Sequence, residues 1–310
     1  MERVILGRTG LEVSRMGVGA GGPSQLGRRT GLDEAASAGL LRRAFDRGVN
    51  FVDSSEGYGT EPIIGRALRG LDRASFVIST KKSTRRQSVT PESLMQSLEG
   101  SLQRLGTDYI DIYNLHGVVP QDYAYLVDDI YPVLQKARAQ GKIRFVGVTE
   151  MFNEDKGHAM LQKALDDDIW DVLMVGFNIL NQSARDAVLK RAHAQNVGIQ
   201  VMFAVRRALR DPGSLQPFLD DLREKGQFEP GVTARDIADS LVAGGDAASL
   251  PDAAYRFCRD EPGVHVVLSG TGDAAHLEAN LRSFGRPPLP PADAERLRRL
   301  FGRVDSTTGQ

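Results

Sequence analysis

The chain has 310 residues and one cysteine, Cys258, so it can form neither an internal disulfide nor a cysteine-rich metal site. Cys258 lies in the helix-like segment Ala-Tyr-Arg-Phe-Cys-Arg and reads as a small buried apolar residue. Neither sign of charge is in excess, because 39 basic residues face 40 acidic ones. Without a basic surplus to neutralise a phosphate backbone, nucleic acid is not an expected partner. The cluster Lys81, Lys82, Arg85 and Arg86 is too short to change that, though it can attract a phosphorylated ligand. No apolar run approaches the ~20 residues needed to span a bilayer. Residues 1–10 have no apolar core for a signal peptide. The expectation is a cytoplasmic protein with no membrane partner, acting as a monomer or weak homo-oligomer. Histidines are scarce: five occur, at 116, 158, 193, 265 and 276, with no His-x-His or His-Glu-x-x-His among them. No metal site is expected from that pattern. No repeat of solenoid period is present.

What is present is an alternation of short apolar runs with helical stripes. The runs occupy residues 16–19, 50–53, 76–81, 110–116, 144–149, 172–177, 199–203 and 264–269, eight in all. Near-continuous apolar runs read as strands buried on both faces, as in a parallel sheet. Between them apolar residues recur every three or four positions, as in Leu40, Leu41, Ala44, Phe45 and again in Leu94, Leu98, Leu102, Leu105. Thr90 and Pro91 make a helix start, and Gly141 is placed to end a later helix. Eight such units predict an α/β chain closed into one (β/α)8 TIM barrel over residues 1–310, with a doubly wound open sheet as the alternative. Residues 2–14 read as a β-hairpin that plugs the N-terminal mouth. Residues 206–250, rich in Gly, Asp and Pro, are expected to form a long loop after strand seven that shapes substrate binding. Residues 305–310 read as a frayed end.

Three of the runs end in chemistry. Asp53 closes one, Lys81 the next and His116 the next, while Tyr58 lies just beyond the first in Asp-Ser-Ser-Glu-Gly-Tyr. Parallel neighbouring strands deliver all four side chains to one rim, where ligands bind in such folds. A phenol alone is a poor acid near neutrality, with a pKa of ~10. A nearby ammonium favours the phenolate, and a carboxylate beside the lysine keeps it charged and fixed. Tyr58 can then protonate an oxygen on which charge develops, with His116 hydrogen-bonded to the same oxygen. Such a set suits carbonyl reduction. No side chain supplies a hydride, so a nicotinamide is implied.

At this point the chain resembles the aldo-keto reductase superfamily. The resemblance is carried by LGRTGLEVS, FVDSSEGYGTE, VISTK, DYIDIYNLH, GKIRFVGV and SGTGDAAHLEANL, which span nearly the whole chain in the family's order. It implies a barrel with NADPH or NADH across its C-terminal rim and a small carbonyl or alcohol as substrate. Carried over by position, Tyr58 is the general acid, Lys81 and Asp53 tune it, and His116 positions the carbonyl. Lys82 competes with Lys81 by adjacency, but strand alternation sends the two to opposite faces. Around the nicotinamide the chain departs from the family. Thr149 and Glu150 stand where Ser-Asn is usual, Met174 where Gln is usual, and Phe203 with Ala204 where an aromatic stacks on the ring. An altered grip on the ring is therefore expected. Gly270, Thr271, Gly272 and Asp273, with His276 and Asn280, are expected at the adenosine end, where a helix begins. Arg206 can reach the pyrophosphate. No Arg or Lys occurs between Gly270 and Asn280, which tilts local chemistry toward NADH, while the resemblance favours NADPH.

The glycines 17, 19 and 22 fit G-x-G-x-x-G, but a loop follows them where a dinucleotide fold needs a helix. Gly21 and its neighbours instead let the chain pass close to nicotinamide and substrate. Tyr123, Tyr125 and Phe152 suggest an aromatic substrate lining, or ordinary packing. A glycosidase built on Asp53 and Glu150 leaves Tyr58 and Lys81 unexplained. A nucleotide-binding sensor of weak turnover is the alternative from a different class.

Overall fold

The computed structural model describes residues 1–84, 89–242, 244 and 246–310. Arg85 and Arg86 of the basic cluster lie outside the described residues. Strands β1 (Arg3–Ile5) and β2 (Glu12–Ser14) pair antiparallel as a small hairpin. They precede β3 (Met16–Gly19), β4 (Phe51–Asp53), β5 (Val77–Ser83), β6 (Ile110–Val118), β7 (Ile143–Glu150), β8 (Val172–Gly176), β9 (Gly198–Met202) and β10 (Val266–Ser269). These eight close into a barrel in the order β10-β3-β4-β5-β6-β7-β8-β9, all pairs parallel. The ring excludes the open sheet. Lys81 and His116 lie within their strands rather than at the ends. Pairing of Lys82 with Leu115 and of Ser83 with His116 carries β5 and β6 farther than their apolar runs.

Two apolar layers follow from strand alternation. One set of side chains faces the helices, and the other fills the barrel. At the N-terminal mouth Phe51, Val77, Ile112, Val172 and Val266 pack with Leu6, Leu11 and Val13 of the hairpin segment, so the plug is real. Each such residue, fully buried, contributes roughly 1.5–3 kcal/mol. The helix Pro91–Leu105 starts with Thr90 and Ser93 exchanging side-chain and backbone hydrogen bonds and ends at left-handed Gly106. It buries Leu94, Leu98 and Leu105. Cys258 is buried in the helix Leu250–Arg259, as its surroundings suggested. Trp170 lies two residues before β8, buried, with its indole N–H donating to the Tyr123 hydroxyl at 3.0 Å.

Two expectations are corrected. The stretch 206–250 is largely helical, with helices Pro212–Glu224 and Ala234–Val242. Its Asp and Pro are start signals: Asp211 accepts from the Ser214 N–H and Pro212 takes the first turn. Leu215, Leu219 and Leu222, then Ile237, Ala238 and Leu241, bury the two inner faces. The end of the chain is docked, not frayed. Asn181 and Asn178 donate to the Thr307 and Thr308 carbonyls at 3.0 and 3.2 Å, and the Ala208 N–H donates to Gly309. After β3 come turns, and the first α-helix starts at Glu34, so the glycine motif opens no dinucleotide fold. Among the described residues no helix is long and apolar enough to cross a membrane.

Candidate active site

The C-terminal rim collects the four chemical residues. β4 ends at Asp53, the chain turns through a 3-10 turn at Glu56–Tyr58, and Lys81 and His116 come from the next two strands. Lys81 Nζ donates to Asp53 Oδ2 at 2.5 Å and to the Ser54 carbonyl at 2.6 Å. Both side chains are buried, exposed by 1% and 5%. Burial pushes the Asp53 carboxyl up, while Lys81 and a hydrogen bond from Ser79 pull it back. The same ammonium lies 5.5 Å from the centre of the Tyr58 ring. Tyr58 Oη is 3.3 Å from His116 Nε2, and the two rings meet edge to face.

The local chain explains why Tyr58 stays there. Lys82 does point to the other face, donating to Glu56 at 3.0 Å. Glu56 also accepts from the Ser83 N–H and the Ser97 hydroxyl, which pins the turn that carries Tyr58. On the opposite side Gly21 lies on the phenol. A Cβ there would be 2.4 Å from a ring carbon, so only glycine allows the approach. Three further residues belong to the site and were missed. Ser79 holds Asp53, Asn114 donates to Ser79 at 3.0 Å, and Ser55 meets His116 Nδ1 at 3.2 Å. Ser55 lies inside the segment that carried the resemblance. Asn114 is two residues before His116, hence on the same strand face.

The residues expected around the nicotinamide form a second cluster on β7, β8 and β9. Thr149 Oγ1 accepts from the Gly117 N–H at 2.8 Å. Glu150 is buried, accepts from the Gly176 N–H at 2.7 Å and faces His158 Nδ1 at 2.8 Å. Burial pushes its carboxyl up and His158 pulls it down. His158 stacks on Phe152, Phe152 on Phe203, and the Arg206 guanidinium lies 3.4 Å from the Phe203 ring centre. Met174 is buried on β8, paired with Thr149 and Gln200. Ala204 is buried, so Phe203 is the aromatic of this corner. Arg206 donates to Asn153 and Thr308 at 2.7 and 2.6 Å, and burial pulls its pKa down to about 10. Tyr123 bonds Asp167 and Phe152 is stacked and buried, so both serve packing, while Tyr125 donates to the Val89 carbonyl and stays exposed.

The residues expected at the adenosine end form a third group. Gly270, Thr271 and Gly272 lead to Asp273, which caps the helix Ala274–Gly285 by accepting from the His276 N–H at 2.8 Å. A Cβ on Gly272 would be 2.5 Å from the Gly27 backbone, so this loop closes against the one after β3. His276 and Asn280 line a cavity of about 570 Å³ whose other wall includes Ser249 and Pro251. Arg282 and Arg286 also reach it.

Comparisons with known proteins agree with the fold. The Aldo/keto reductase family model matches residues 15–301. The NADH-specific methylglyoxal reductase of Escherichia coli is 29% identical over 232 residues, 67% of this chain and 69% of that one. Aldo-keto reductase YhdN of Bacillus subtilis is 26% identical over 300 residues, covering 90% of this chain and 87% of its own. Among solved structures, an aldo-keto reductase from Bacillus halodurans superposes with a TM-score of 0.73 at 22% identity, covering 99% of this chain and 97% of that one. The family match covers all eight barrel strands and the last helices, and the chain belongs to the aldo/keto reductase family.

Proposed function

We propose that this protein is an NAD(P)H-dependent oxidoreductase that reduces an aldehyde or ketone, or oxidises the corresponding alcohol or sugar, with Tyr58 as general acid and base. The observation that carries the reading is the Lys81 ammonium beside Tyr58, held by Asp53. An ammonium whose nitrogen lies 5.5 Å from the ring centre favours a developing phenolate, with Asp53 opposing part of its field. Tyr58 gives its proton to the substrate oxygen, and in the reverse direction takes it back. The buried pair fixes the charge so that no solvent reorganisation is needed as the proton moves. His116 and Gly21 confine the phenol to one orientation.

A nicotinamide dinucleotide, when bound, supplies or accepts the hydride. The adenosine end would be held by the loop of Gly270–Asp273 and by His276 and Asn280, which line a cavity on the helix that this loop starts. Thr149, Met174 and Phe203 are the groups offered to the ring, and Arg206 is the cation offered to the pyrophosphate. The relatives' names span both cofactors and both directions. The Escherichia coli relative is NADH-specific and reduces methylglyoxal, a Pseudomonas relative is a D-threo-aldose 1-dehydrogenase, and a Klebsiella pneumoniae aldo-keto reductase was crystallised with NADPH. We place the enzyme in the cytoplasm, as a monomer or weak homo-oligomer that binds no nucleic acid. The test is turnover over a carbonyl panel with NADPH and NADH separately, alongside calorimetric titration of each. Tyr58→Phe should abolish turnover and spare cofactor binding. If neither cofactor binds the wild-type protein, the proposal fails.

A second reading is a nucleotide-binding module of weak turnover. It is favoured by Arg206 lying over Phe203 and by Glu150 being committed to His158 and Gly176. Cofactor binding without turnover on any carbonyl in the panel would select it.

A further inference from the structure

Inside the barrel β9 carries an amide with nothing to bond. A Cβ on Gly198 would lie 2.9 Å from Leu6 and 3.2 Å from Val172, so Gly198 faces the plug. Strand faces repeat every second residue, which turns Gln200 and Met202 inward as well. Gln200 thus stands one layer above the plug and one below Met202, which is half-buried toward the rim. Its register partners are Met174 on β8 and Val266 on β10. The side chain is fully buried, and among the described residues neither its Nε2 nor its Oε1 has a hydrogen-bond partner. A primary amide carries two donors and an acceptor. Leaving them unpaired out of water destabilises the fold, and a hydrocarbon of the same shape would not. The fold gains nothing from an amide here, so its use lies with a ligand.

The ligand's chemistry follows from what stands nearby. The carboxamide of a nicotinamide ring is itself a primary amide, with a carbonyl that accepts and an NH2 that donates. Two such groups satisfy each other in a reciprocal pair. The neighbouring polar groups are committed. Glu150 accepts from the Gly176 N–H and faces His158. Thr149 Oγ1 accepts from the Gly117 N–H, and its single oxygen cannot meet both ends of an amide. Met174 offers only a thioether. On β6 Asn114 also has an unpartnered Oδ1, but its Nδ2 serves Ser79 and the Thr80 carbonyl, so it can accept and not donate. Of these, Gln200 alone keeps a donor and an acceptor on separate atoms. We infer that Gln200 is a cofactor-binding residue whose amide takes the nicotinamide carboxamide in a reciprocal hydrogen-bond pair, a task that Glu150 and Met174 leave open.

The inference rests on the reading of the protein as a nicotinamide enzyme, and the test separates the two. Gln200→Met keeps the length of the side chain and removes the amide. Calorimetric titration compares wild type and variant with NADH, NADPH and ADP-ribose, which keeps the adenosine and pyrophosphate but has no ring. The variant should bind the tighter dinucleotide about tenfold more weakly, as for two lost hydrogen bonds between neutral groups, and should bind ADP-ribose as the wild type does. With the acetylpyridine analogue of the dinucleotide, whose ring lacks the NH2, the gap between the two proteins should shrink. Without ligand the variant should melt a few degrees above the wild type, since it buries no unpaired amide. An unchanged dinucleotide affinity, or an equal loss for ADP-ribose, would overturn the inference alone. So would a variant that melts well below the wild type, because the amide would then serve the fold. A wild type that binds neither dinucleotide would overturn the inference together with the reductase reading.

Discussion

Replacing Lys81 by Met removes the ammonium and keeps most of the side-chain volume. Lys81 Nζ serves two acceptors, Asp53 Oδ2 and the Ser54 carbonyl, and both partners of the ion pair are almost wholly buried. Breaking a buried pair from one side costs about 3–5 kcal/mol, because a charge is left without compensation. Asp53 has a partial escape: it can take a proton. Burial already pushes its carboxyl up, and without Lys81 only Ser79 opposes that. A carboxyl whose folded pKa is raised gives a stability that is full below the unfolded value and lost as pH rises through the folded one. Lys81→Met should therefore lose about 3–5 kcal/mol at pH 8 and distinctly less at pH 5. Asp53→Asn in the same background should recover part of the loss at pH 8 and flatten the pH dependence. Urea unfolding followed by circular dichroism at both pH values measures all of this. A loss below ~1 kcal/mol at pH 8, or an equal loss at both, would refute the claim that the pair is buried and charged. Turnover should fall at least ~100-fold in the single variant, since Tyr58 loses its neighbouring cation.

Gly21→Ala places a methyl group against the Tyr58 ring. Turnover should fall ~10- to 100-fold from displacement of the phenol, while melting shifts by only a few degrees. Glu150→Ala should cost about 3–5 kcal/mol, leaving His158 and the Gly176 N–H without their acceptor, whereas Glu150→Gln should cost much less because it keeps an oxygen there; chemical unfolding compares them. The His265 imidazole is pulled down to about 4 from 6.5, first by burial and then by Arg15 and His193. Below pH 6.5 the unfolded chain takes a proton that the fold refuses, so stability is lost as pH falls toward 4. His265→Asn should remove up to about 2–3 kcal/mol of that acid sensitivity, read from unfolding curves across the range.

Asp53, Tyr58, Lys81 and His116 are legible because neighbouring parallel strands of a barrel deliver their late side chains to one rim. Ser55 was in plain view but carries no pattern of its own. It meets the Lys81 carbonyl and His116 Nδ1, which two other strands bring to it. Glu150 was read as turned to the nicotinamide. Its partner His158 is eight residues away in sequence and sits at a left-handed backbone position, φ 62°, which brings the imidazole under the carboxylate. Such a conformation is uncommon for a non-glycine residue and leaves no trace in an apolar pattern. The stretch 206–250 misled for a different reason. Asp and Pro in its composition read as loop, though Asp211-Pro212 is a helix start when a Leu stripe follows. The docked end was invisible because Asn178 and Asn181 reach it across more than 120 positions of chain.

Trp170 is the only tryptophan, and it lies at the foot of β8, by the mouth that the hairpin seals. The rim chemistry is at the other end of the barrel. Its light emission therefore cannot be extinguished by a nucleotide touching the indole. On the proposed placing of the dinucleotide, dimming by a reduced cofactor is expected from resonance transfer, which depends on separation and dipole orientation. On that placing the optical donor sits at one pole of the barrel and the acceptor at the other. Dimming efficiency becomes a ruler for how deeply the nicotinamide sits, and substitutions at the rim leave the donor itself untouched.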